Sequence, residues 1–176
     1  GCAKHSRQDP TQQSSASSAK TFDRPDLGVR LSLPPGWTKQ SSEDFVLLLT
    51  RPGDAKGSQI SLDVPKLPPH IPGLIPIGSV RNGYVDDLRQ TYRGLETKDL
   101  EAPDVPGAQR RLVRSTWIDA KGRAQQETAL LLVHGDHVYI LRGRGPVDDE
   151  PATRSAFDAV ARSLQWVSGR AGGSPE

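Results

Sequence analysis

The feature that most constrains this chain is a pair of long apolar stretches within residues 125–144, joined by the sequence His134-Gly135-Asp136-His137. Gly135 and Asp136 predict a two-residue hairpin turn, because Gly adopts the positive φ that the twist-matched turns between paired strands require. Such a turn places His134 opposite His137 and thereby sets the register of both strands. We therefore expect a long antiparallel hairpin at the centre of the fold.

This register assigns every side chain of the hairpin to one of two faces. One face pairs Val133 with Val138, Leu131 with Ile140, Ala129 with Arg142 and Glu127 with Arg144, and the other pairs Leu132 with Tyr139 and Leu130 with Leu141. Both faces are apolar near the turn, which is typical of strands that are covered on both sides. We therefore expect helices or long loops on both faces of the hairpin.

The charge of the chain is nearly balanced, with 23 Lys and Arg residues against 21 Asp and Glu residues. Residues 21–167 carry 19 of each sign, so the small positive excess lies outside them. A neutral domain without runs of Lys and Arg among aromatic residues argues against nucleic-acid binding. The single Cys excludes an intrachain disulfide, and no apolar run approaches the roughly 20 residues of a membrane span.

Composition divides the 176 residues into three segments. Residues 1–20 are rich in Ser, Gln and Ala, and residues 168–176 are rich in Gly, Ser and Pro, so both are predicted to be disordered. Residues 21–167 form the predicted domain, and a domain of this size buries about 68–70% of the surface that its unfolded chain exposes. That is enough for a core without disulfides, and we expect a monomer.

The sequence Gly1-Cys2, followed by a polar stretch, resembles a bacterial lipoprotein cut at its lipobox, where a small residue precedes the Cys that becomes the first mature residue. The resemblance implies lipid attachment at Cys2 and a location in the cell envelope, outside the cytoplasm. Acyl chains anchor a protein because each buried methylene contributes about 0.8 kcal/mol, and more than one chain is needed for stable attachment. The alternative is a free, exposed cysteine.

Periodic apolar residues predict the strands and helices of the domain. Strands are predicted at residues 28–33, 45–51, 59–64, 95–100 and 108–118 and in the two arms of the hairpin, and helices at residues 79–94 and 151–164. Short connections between the last strands indicate antiparallel pairing. The pattern predicts an α+β fold, with a mostly antiparallel central sheet of about six to seven strands and helices on both faces.

The segment of residues 64–78 contains five prolines among apolar side chains, a density that neither a helix nor a central strand tolerates. Two interpretations of this long loop remain open. Its apolar residues could be exposed and bind a partner protein, because monomers seldom keep an apolar patch without a function. Alternatively, they are buried within the domain itself. On the first interpretation the partner-binding residues are Leu67, Ile71, Leu74 and Ile75.

Several of these features together resemble the PsbP-like superfamily of α/β/α sandwich domains. The features are a first strand ending in Pro34-Pro35-Gly36-Trp37, a helix after the third strand, the long hairpin, and a last helix ending in Ser163-Leu164-Gln165-Trp166. The resemblance covers residues 22–166. It implies an α/β/α sandwich and a function in binding, mostly to other proteins, rather than a shared reaction, since a fold alone does not determine function.

The densest set of potential metal ligands is His134, Asp136 and His137 at the hairpin turn, which could hold zinc if another loop supplied a third or fourth ligand. The turn alone, however, explains Gly135 and Asp136. No sequence motif joins a nucleophile to a base and an orienting partner. We therefore predict a non-enzymatic protein-binding domain without a cofactor. The alternative is a metal-dependent enzyme or metal-binding protein that uses this turn.

Arginines on the hairpin and on the strand before it are candidates for a basic stripe that binds an anionic partner. They are Arg110, Arg111, Arg114, Arg142 and Arg144. Glu127 lies opposite Arg144 in the predicted register, so it would neutralise part of that charge.

Cys2→Ser in the full precursor is expected to move the protein from the membrane fraction to the soluble fraction, because a serine hydroxyl does not replace the thiol that carries the lipid. Cell fractionation followed by immunoblotting measures this change. Replacement of the neighbouring Ala3 by Ser is the control and is expected to leave the protein in the membrane fraction. Unchanged partitioning of the Cys2 variant would rule out lipid attachment as the anchor.

Overall fold

The computed structural model describes residues 20–67 and 75–168, which contain ten strands and two α-helices. The strands are β1 (Thr21–Arg24), β2 (Val29–Ser32), β3 (Thr38–Gln40), β4 (Leu47–Thr50), β5 (Gln59–Asp63), β6 (Glu96–Leu100), β7 (Gln109–Ile118), β8 (Ala124–His134), β9 (His137–Pro146) and β10 (Gln165–Trp166). The helices are α1 (Ile77–Thr91) and α2 (Glu150–Ser163), and short 3-10 turns cover Pro25–Leu27 and Val147–Asp149. Neither described α-helix has the length and apolar character that a membrane crossing requires.

Seven of these strands form one antiparallel sheet in the order β3-β4-β5-β9-β8-β7-β6. The hairpin of β8 and β9 lies within the sheet, and its register pairs His134 with His137 and Glu127 with Arg144. Gly135 at the turn has a φ of 60°, the left-handed conformation that the sequence predicts. The predicted hairpin register and the predicted antiparallel α+β fold are therefore both confirmed.

One side of the seven-stranded sheet, called here the α1 face, packs against α1. Val113 of β7 and Ala129 and Leu131 of β8 form a core cluster with Val85 and Leu88 of the helix. Alternate residues of each strand point to the same side, so these odd-numbered positions of β7 and β8 share one face. The α1 face is therefore closed over the middle of the hairpin.

The opposite side, called here the α2 face, is covered by α2 and by a second sheet of three strands in the order β1-β2-β10. Leu130 and Leu132 of β8 form one core cluster with Leu31 of β2 and with Phe157 and Val160 of α2. Each of these side chains is fully buried, and each burial stabilises the fold by about 1.5–3 kcal/mol relative to exposure. Helices therefore cover both faces, as predicted.

The first predicted strand is present as β2, but its expected place among the strands of the central sheet is wrong. It pairs with β1 and β10 in the smaller sheet instead. The central sheet contains β3 in its place, and the residues of β3, Thr38, Lys39 and Gln40, show no apolar alternation. An edge strand pairs on one side only, so its sequence carries little of the pattern that predicts a buried strand.

The start of α1 also differs from the sequence prediction, which places it at Ser79. The helix begins at Ile77, with Pro76 in the N-cap position and no side-chain cap of its own. Gln109 of β7 takes the place of the cap. Its Oε1 accepts a hydrogen bond from the Ile77 N–H at 3.2 Å, and its Nε2 donates one to the Ile75 carbonyl at 3.3 Å. A residue from another element therefore determines this helix end.

Two glycines of β9 let neighbouring elements approach the strand closely. A Cβ at Gly143 would lie 3.1 Å from Phe157 Cβ, and a Cβ at Gly145 would lie 3.1 Å from Ser58 Cβ and 3.3 Å from Ser58 Cα. Ser58 is buried and donates a hydrogen bond to Asp149, so it has little room to move. The close approach at Gly145 therefore depends on the absence of a side chain.

Gly145→Ala is expected to lower the free energy of unfolding by about 1–3 kcal/mol, because the added methyl group overfills the contact with Ser58. Gly83→Ala is the control, since Gly83 lies within α1 and a Cβ there would meet no atom within 4 Å. The control is expected to raise the free energy of unfolding by about 0.5–1 kcal/mol, because Ala favours the helix more than Gly does. Urea denaturation measures both changes. A neutral Gly145→Ala would contradict the packing argument.

Candidate functional site

Charged and aromatic side chains gather on the α1 face, beside the part of the sheet that α1 covers. Strand alternation brings Glu127 of β8 and Arg142 and Arg144 of β9 to this face, as the confirmed register requires. Ser61 and Gln59 of β5 are the direct cross-strand neighbours of the two arginines. The site is therefore built on central strands rather than on loops.

Glu127 is the buried centre of this region, with 1% of its surface exposed. Its carboxylate accepts one hydrogen bond from the Tyr84 hydroxyl of α1 and another from Arg144 Nε at 2.6 Å. A buried carboxylate is tolerated when it is both paired with a cation and hydrogen-bonded, and Glu127 meets both conditions. The contact also joins α1 to the central hairpin.

The contact between Glu127, Tyr84 and Arg144 shifts the pKa values of Tyr84 and Arg144. Burial raises the pKa of the Tyr84 hydroxyl well above its ordinary value of 10.0, and the charge of Glu127 raises it further. Burial lowers the pKa of the Arg144 guanidinium, but the charges and hydrogen bonds of Glu127 and Tyr92 together outweigh it, so this pKa is raised. Tyr84 therefore stays a neutral donor, and Arg144 stays a cation, at neutral pH.

Aromatic rings hold Arg144 from another direction. Its guanidinium carbon lies 5.4 Å from the ring centroid of Tyr92 and 5.2 Å from that of Trp117, and these two rings stack at 4.3 Å. Cation–π contacts of this kind stabilise by about 0.5–1 kcal/mol at exposed sites and by more when they are desolvated. Glu127 and the two rings together fix the position of Arg144.

Arg142 lies in a different environment. Its guanidinium carbon is 5.8 Å from the ring centroids of both Phe45 and Tyr84, and its nearest carboxylates, those of Asp63 and Glu127, are each 4.0 Å away. A distance of 4.0 Å is too long for a hydrogen bond, and no residue in the described part of the chain accepts one from Arg142. The side chain is 21% exposed, so part of it reaches the surface.

The basic stripe expected from the sequence is wrong, because its arginines lie on opposite faces of the sheet. Alternation along β7 places Arg110 and Arg114 on the α2 face, whereas Arg142 is on the α1 face. On the α2 face Arg110 pairs with Asp104 at 3.3 Å and Arg114 pairs with Glu150 at 3.4 Å. The five arginines therefore do not form one surface.

The α1 face extends beyond α1, which packs mainly on β7 and β8, onto β5, β4 and β3. We call this extension, together with Arg142 and Arg144, the open half-face. Its other members, by register, are Thr38, Gln40, Leu48, Thr50, Gln59, Ser61 and Asp63. Gln40 is exposed, Ser61 is buried and the others are half-buried. The open half-face is therefore a polar strand surface with one aliphatic residue, Leu48.

The potential metal ligands at the hairpin turn have other partners. His134 Nδ1 lies 2.8 Å from the Gly107 carbonyl oxygen, and the His134 ring stacks on Trp166 with 4.0 Å between centroids. His137 Nδ1 lies 2.6 Å from a carboxylate oxygen of Asp136. Within residues 20–67 and 75–168, no group of three or more His, Cys, Asp or Glu side chains could hold a metal ion. His134 instead ties the hairpin to the turn before β7 and to β10.

The described ends of the proline-rich segment pack against the domain. Ile75 is 9% exposed, and Leu67 is partly buried against the same core cluster beneath α1. Ile71 and Leu74, the other two residues predicted to contact a partner, lie outside the described residues, as does Cys2. Ile75 is therefore buried in the domain and Leu67 is partly buried, and partner binding by this loop stays a prediction.

Sequence analysis did not anticipate a second buried carboxylate, Asp149, immediately before α2. Asp149 is 8% exposed and accepts hydrogen bonds from Arg51 and Ser58, which lie between β4 and β5. Arg51 also pairs with Asp54 at 2.9 Å and lies over the Trp37 ring at 5.4 Å. Arg51 and Asp149 are 98 positions apart in the chain, so no local pattern reveals their pairing.

Tyr84→Phe is expected to lower the free energy of unfolding by about 1.5–3 kcal/mol at neutral pH, because it removes a hydrogen bond to a buried charge. The variant also tests the raised pKa. Above pH 10.0 the unfolded chain loses the tyrosine proton before the folded chain does, so the stability that Tyr84 contributes is present below this pH and falls as the pH rises. Denaturation curves from about pH 8 to about pH 11 are expected to show a steeper loss of stability in the unchanged protein than in the variant. Equal slopes would contradict the raised pKa.

No protein-family model matches this chain, and no curated protein matches it. Among solved structures, it is similar to CyanoP, the PsbP protein of the cyanobacterium Synechocystis, with a TM-score of 0.58 and 14% identity over 88% of this chain and 95% of that one. It is similar to LpqN of Mycobacterium tuberculosis, with a TM-score of 0.57 and 13% identity over 87% of each chain. A protein of Bacteroides thetaiotaomicron has a TM-score of 0.54 and 12% identity, over 90% of this chain and 51% of that one.

Identities this low carry information about the fold alone. CyanoP and LpqN each match along most of both chains. The seven-stranded antiparallel sheet with a helix on each face is the architecture that the sequence resemblance implies. This chain therefore has the PsbP-like fold.

Proposed function

We propose that this protein is a non-enzymatic binding domain of the bacterial cell envelope, anchored by lipid on Cys2, and that it binds another protein through the open half-face. The observation that carries the proposal is Arg142, a cation on that surface which makes no hydrogen bond with any described residue. The Arg142 side chain is 21% exposed, so its guanidinium donors can reach an acceptor of a partner protein.

The composition of the open half-face supports protein binding. Arginine is enriched at protein interfaces, and Arg142 and Arg144 both lie on this surface, with the half-buried Phe45 beside Arg142. The backbone beneath them is a hydrogen-bonded sheet. A rigid surface loses little conformational entropy when a partner binds, so more of the contact energy appears as affinity.

The hydrogen bonds of the two buried carboxylates support a non-enzymatic role. Glu127 is paired with Arg144 and Tyr84, and Asp149 accepts hydrogen bonds from Arg51. A general base needs a lone pair that can reach a substrate. These carboxylates instead accept hydrogen bonds from side chains of neighbouring elements. These groups are therefore better explained as ties between elements than as catalysts.

The envelope location rests on two separate observations. Cys2 follows a small residue and precedes a polar stretch, which resembles a processed lipoprotein. LpqN, which has a similar fold, is involved in cell envelope biogenesis of Mycobacterium tuberculosis. A lipid anchor and a tether of about 18 residues would hold the domain near the membrane.

Site-specific photo-crosslinking in cells tests the protein-binding proposal. A photoreactive amino acid at Leu48 lies on the open half-face, whereas one at Ile118, which is 61% exposed, lies on the α2 face. We expect a discrete protein adduct from position 48 and none of the same mass from position 118, and mass spectrometry then identifies the partner. No adduct from position 48, or the same adducts from both positions, would overturn the proposal.

A further inference from the structure

We propose that one end of the seven-stranded sheet rests on the lipid bilayer through an apolar row, which consists of Ile118, Ala124 and Val147. This inference rests on the lipid anchor of the proposed function, because it says which part of the anchored domain faces the membrane. Three observations carry it: the apolar row itself, the entry of the chain from Cys2 at the same end of the sheet, and the pairing of the charges beside the row.

The first observation is that the exposed apolar side chains are neighbours. In the described part of the chain, the exposed large hydrophobic residues are Ile118 and Val147, at 61% and 42% exposure. Ile118 of β7 pairs with Ala124 of β8, which is also exposed. Gln125 pairs with Pro146, so Ala124 and Val147 each lie one position further along, and the row is about 10 Å wide. Single exposed apolar residues are common, whereas neighbouring ones indicate a contact surface.

The second observation is where the chain from Cys2 joins the domain. The Leu33 N–H donates a hydrogen bond to the Lys20 carbonyl at 2.7 Å, and Leu33 is followed by the turn that leads into β3. Because β3 and β8 run away from this end of the sheet and β7 and β9 run towards it, that turn and the apolar row lie at the same end. The tether therefore enters the domain at the end that carries the apolar row.

The length of the tether makes a weak contact sufficient. Cys2 and Lys20 are 18 positions apart, and a flexible chain of this length has an end-to-end distance of about 21–25 Å. An anchored domain stays close to the bilayer, so the bilayer acts at a high effective concentration and the contact needs little affinity of its own. Two apolar side chains at the boundary between headgroups and acyl chains can therefore orient the domain.

The third observation is that the charges beside the apolar row are largely paired with each other. Lys56 Nζ lies 3.7 Å from a carboxylate oxygen of Asp148, and Arg123 Nε lies 3.0 Å from one of Asp119. Lys121 in the β7–β8 turn is exposed, and its aliphatic stem can lie against apolar groups while the ammonium stays in water. Because most of these charges are balanced, the contact relies on the apolar row and does not require an anionic lipid.

The opposite end of the sheet has a different surface. There the hairpin turn presents Asp136, whose side chain is 90% exposed, and none of the exposed large hydrophobic residues of the described chain lies at that end. β8 has 11 residues, which separates the two ends by about 30–35 Å. A short-range probe can therefore tell which end meets the bilayer.

Quenching of a fluorescent label by lipid tests this orientation. The full precursor carries Ala120→Cys or Asp136→Cys, and the lipidated protein is reconstituted into phosphatidylcholine vesicles. Acylation blocks Cys2, so an environment-sensitive fluorophore labels the new thiol alone. With nitroxide-headgroup lipids in the vesicles, we expect strong quenching and a blue-shifted emission at position 120 and neither at position 136. Equal quenching at both positions, or none at position 120, would overturn the proposal.

Variants of the apolar row link the orientation to its side chains. Ile118→Ser combined with Val147→Ser, in the protein labelled at position 120, is expected to abolish the quenching. Lys98→Ser combined with Arg162→Ser is the control, since both residues are exposed and lie away from the row, and it is expected to leave the quenching unchanged. Melting temperatures verify that all variants fold. Undiminished quenching in the variant of the row would contradict the contact.

High salt distinguishes an apolar contact from a charged one. Quenching at position 120 is expected to persist in about 1 M NaCl, where the screening length falls to about 3 Å. Loss of the quenching at this salt concentration would show that charged side chains hold the domain on the bilayer, and the assignment to the apolar row would be wrong.

The outcomes also separate this inference from the proposed function. Recovery of the unchanged protein in the soluble fraction would overturn the lipid anchor, and this inference with it. A membrane-anchored protein without quenching at position 120 would overturn the orientation alone. A photoreactive amino acid at position 118 that yields a discrete protein adduct would assign the apolar row to a protein instead of the bilayer, which also overturns the inference.

Discussion

The register of the β8–β9 hairpin is the constraint on which the other contacts depend. Because side chains alternate along a strand, one register sends Leu130 and Leu132 to the α2 face and Glu127, Ala129 and Leu131 to the α1 face. A shift by one residue would expose two cores and bury the wrong charges. The turn at Gly135, with its positive φ, prevents that shift locally.

Buried charges then attach the remaining elements to this frame. Glu127 accepts a hydrogen bond from the Tyr84 hydroxyl of α1. Asp149, just before α2, accepts one from Arg51 in the β4–β5 connection. A buried carboxylate offsets its desolvation only when its hydrogen bonds and charge partner are complete, as they are at Glu127 and Asp149. The Glu127–Tyr84 contact fixes the position of α1 on the sheet, and the Asp149–Arg51 contact fixes the start of α2. Hydrophobic contacts are less directional and define these positions less sharply.

The same arrangement leaves one surface with unmet hydrogen-bonding capacity. α1 packs on β7 and β8, and its Tyr84 uses one carboxylate oxygen of Glu127 while Arg144 uses the other. Arg142 is thereby left without a close acceptor in the described chain, although it lies on the same face as Arg144. Arg142, two residues earlier on β9, lies 4.0 Å from Asp63 and from Glu127 without a hydrogen bond to either.

Local sequence determined the hairpin, its register, the facing of Arg142 and Arg144, and the α+β class, because these follow from turn chemistry and from periods of 2 and 3.6 residues. Long-range contacts decided the rest. They place β2 outside the central sheet, cap the start of α1 with Gln109 of β7, and pair Arg51 with Asp149. They also decide which face of the sheet each basic residue occupies. No pattern within a short window records which distant partner a side chain will meet, so only the tertiary structure could show which carboxylate each arginine contacts.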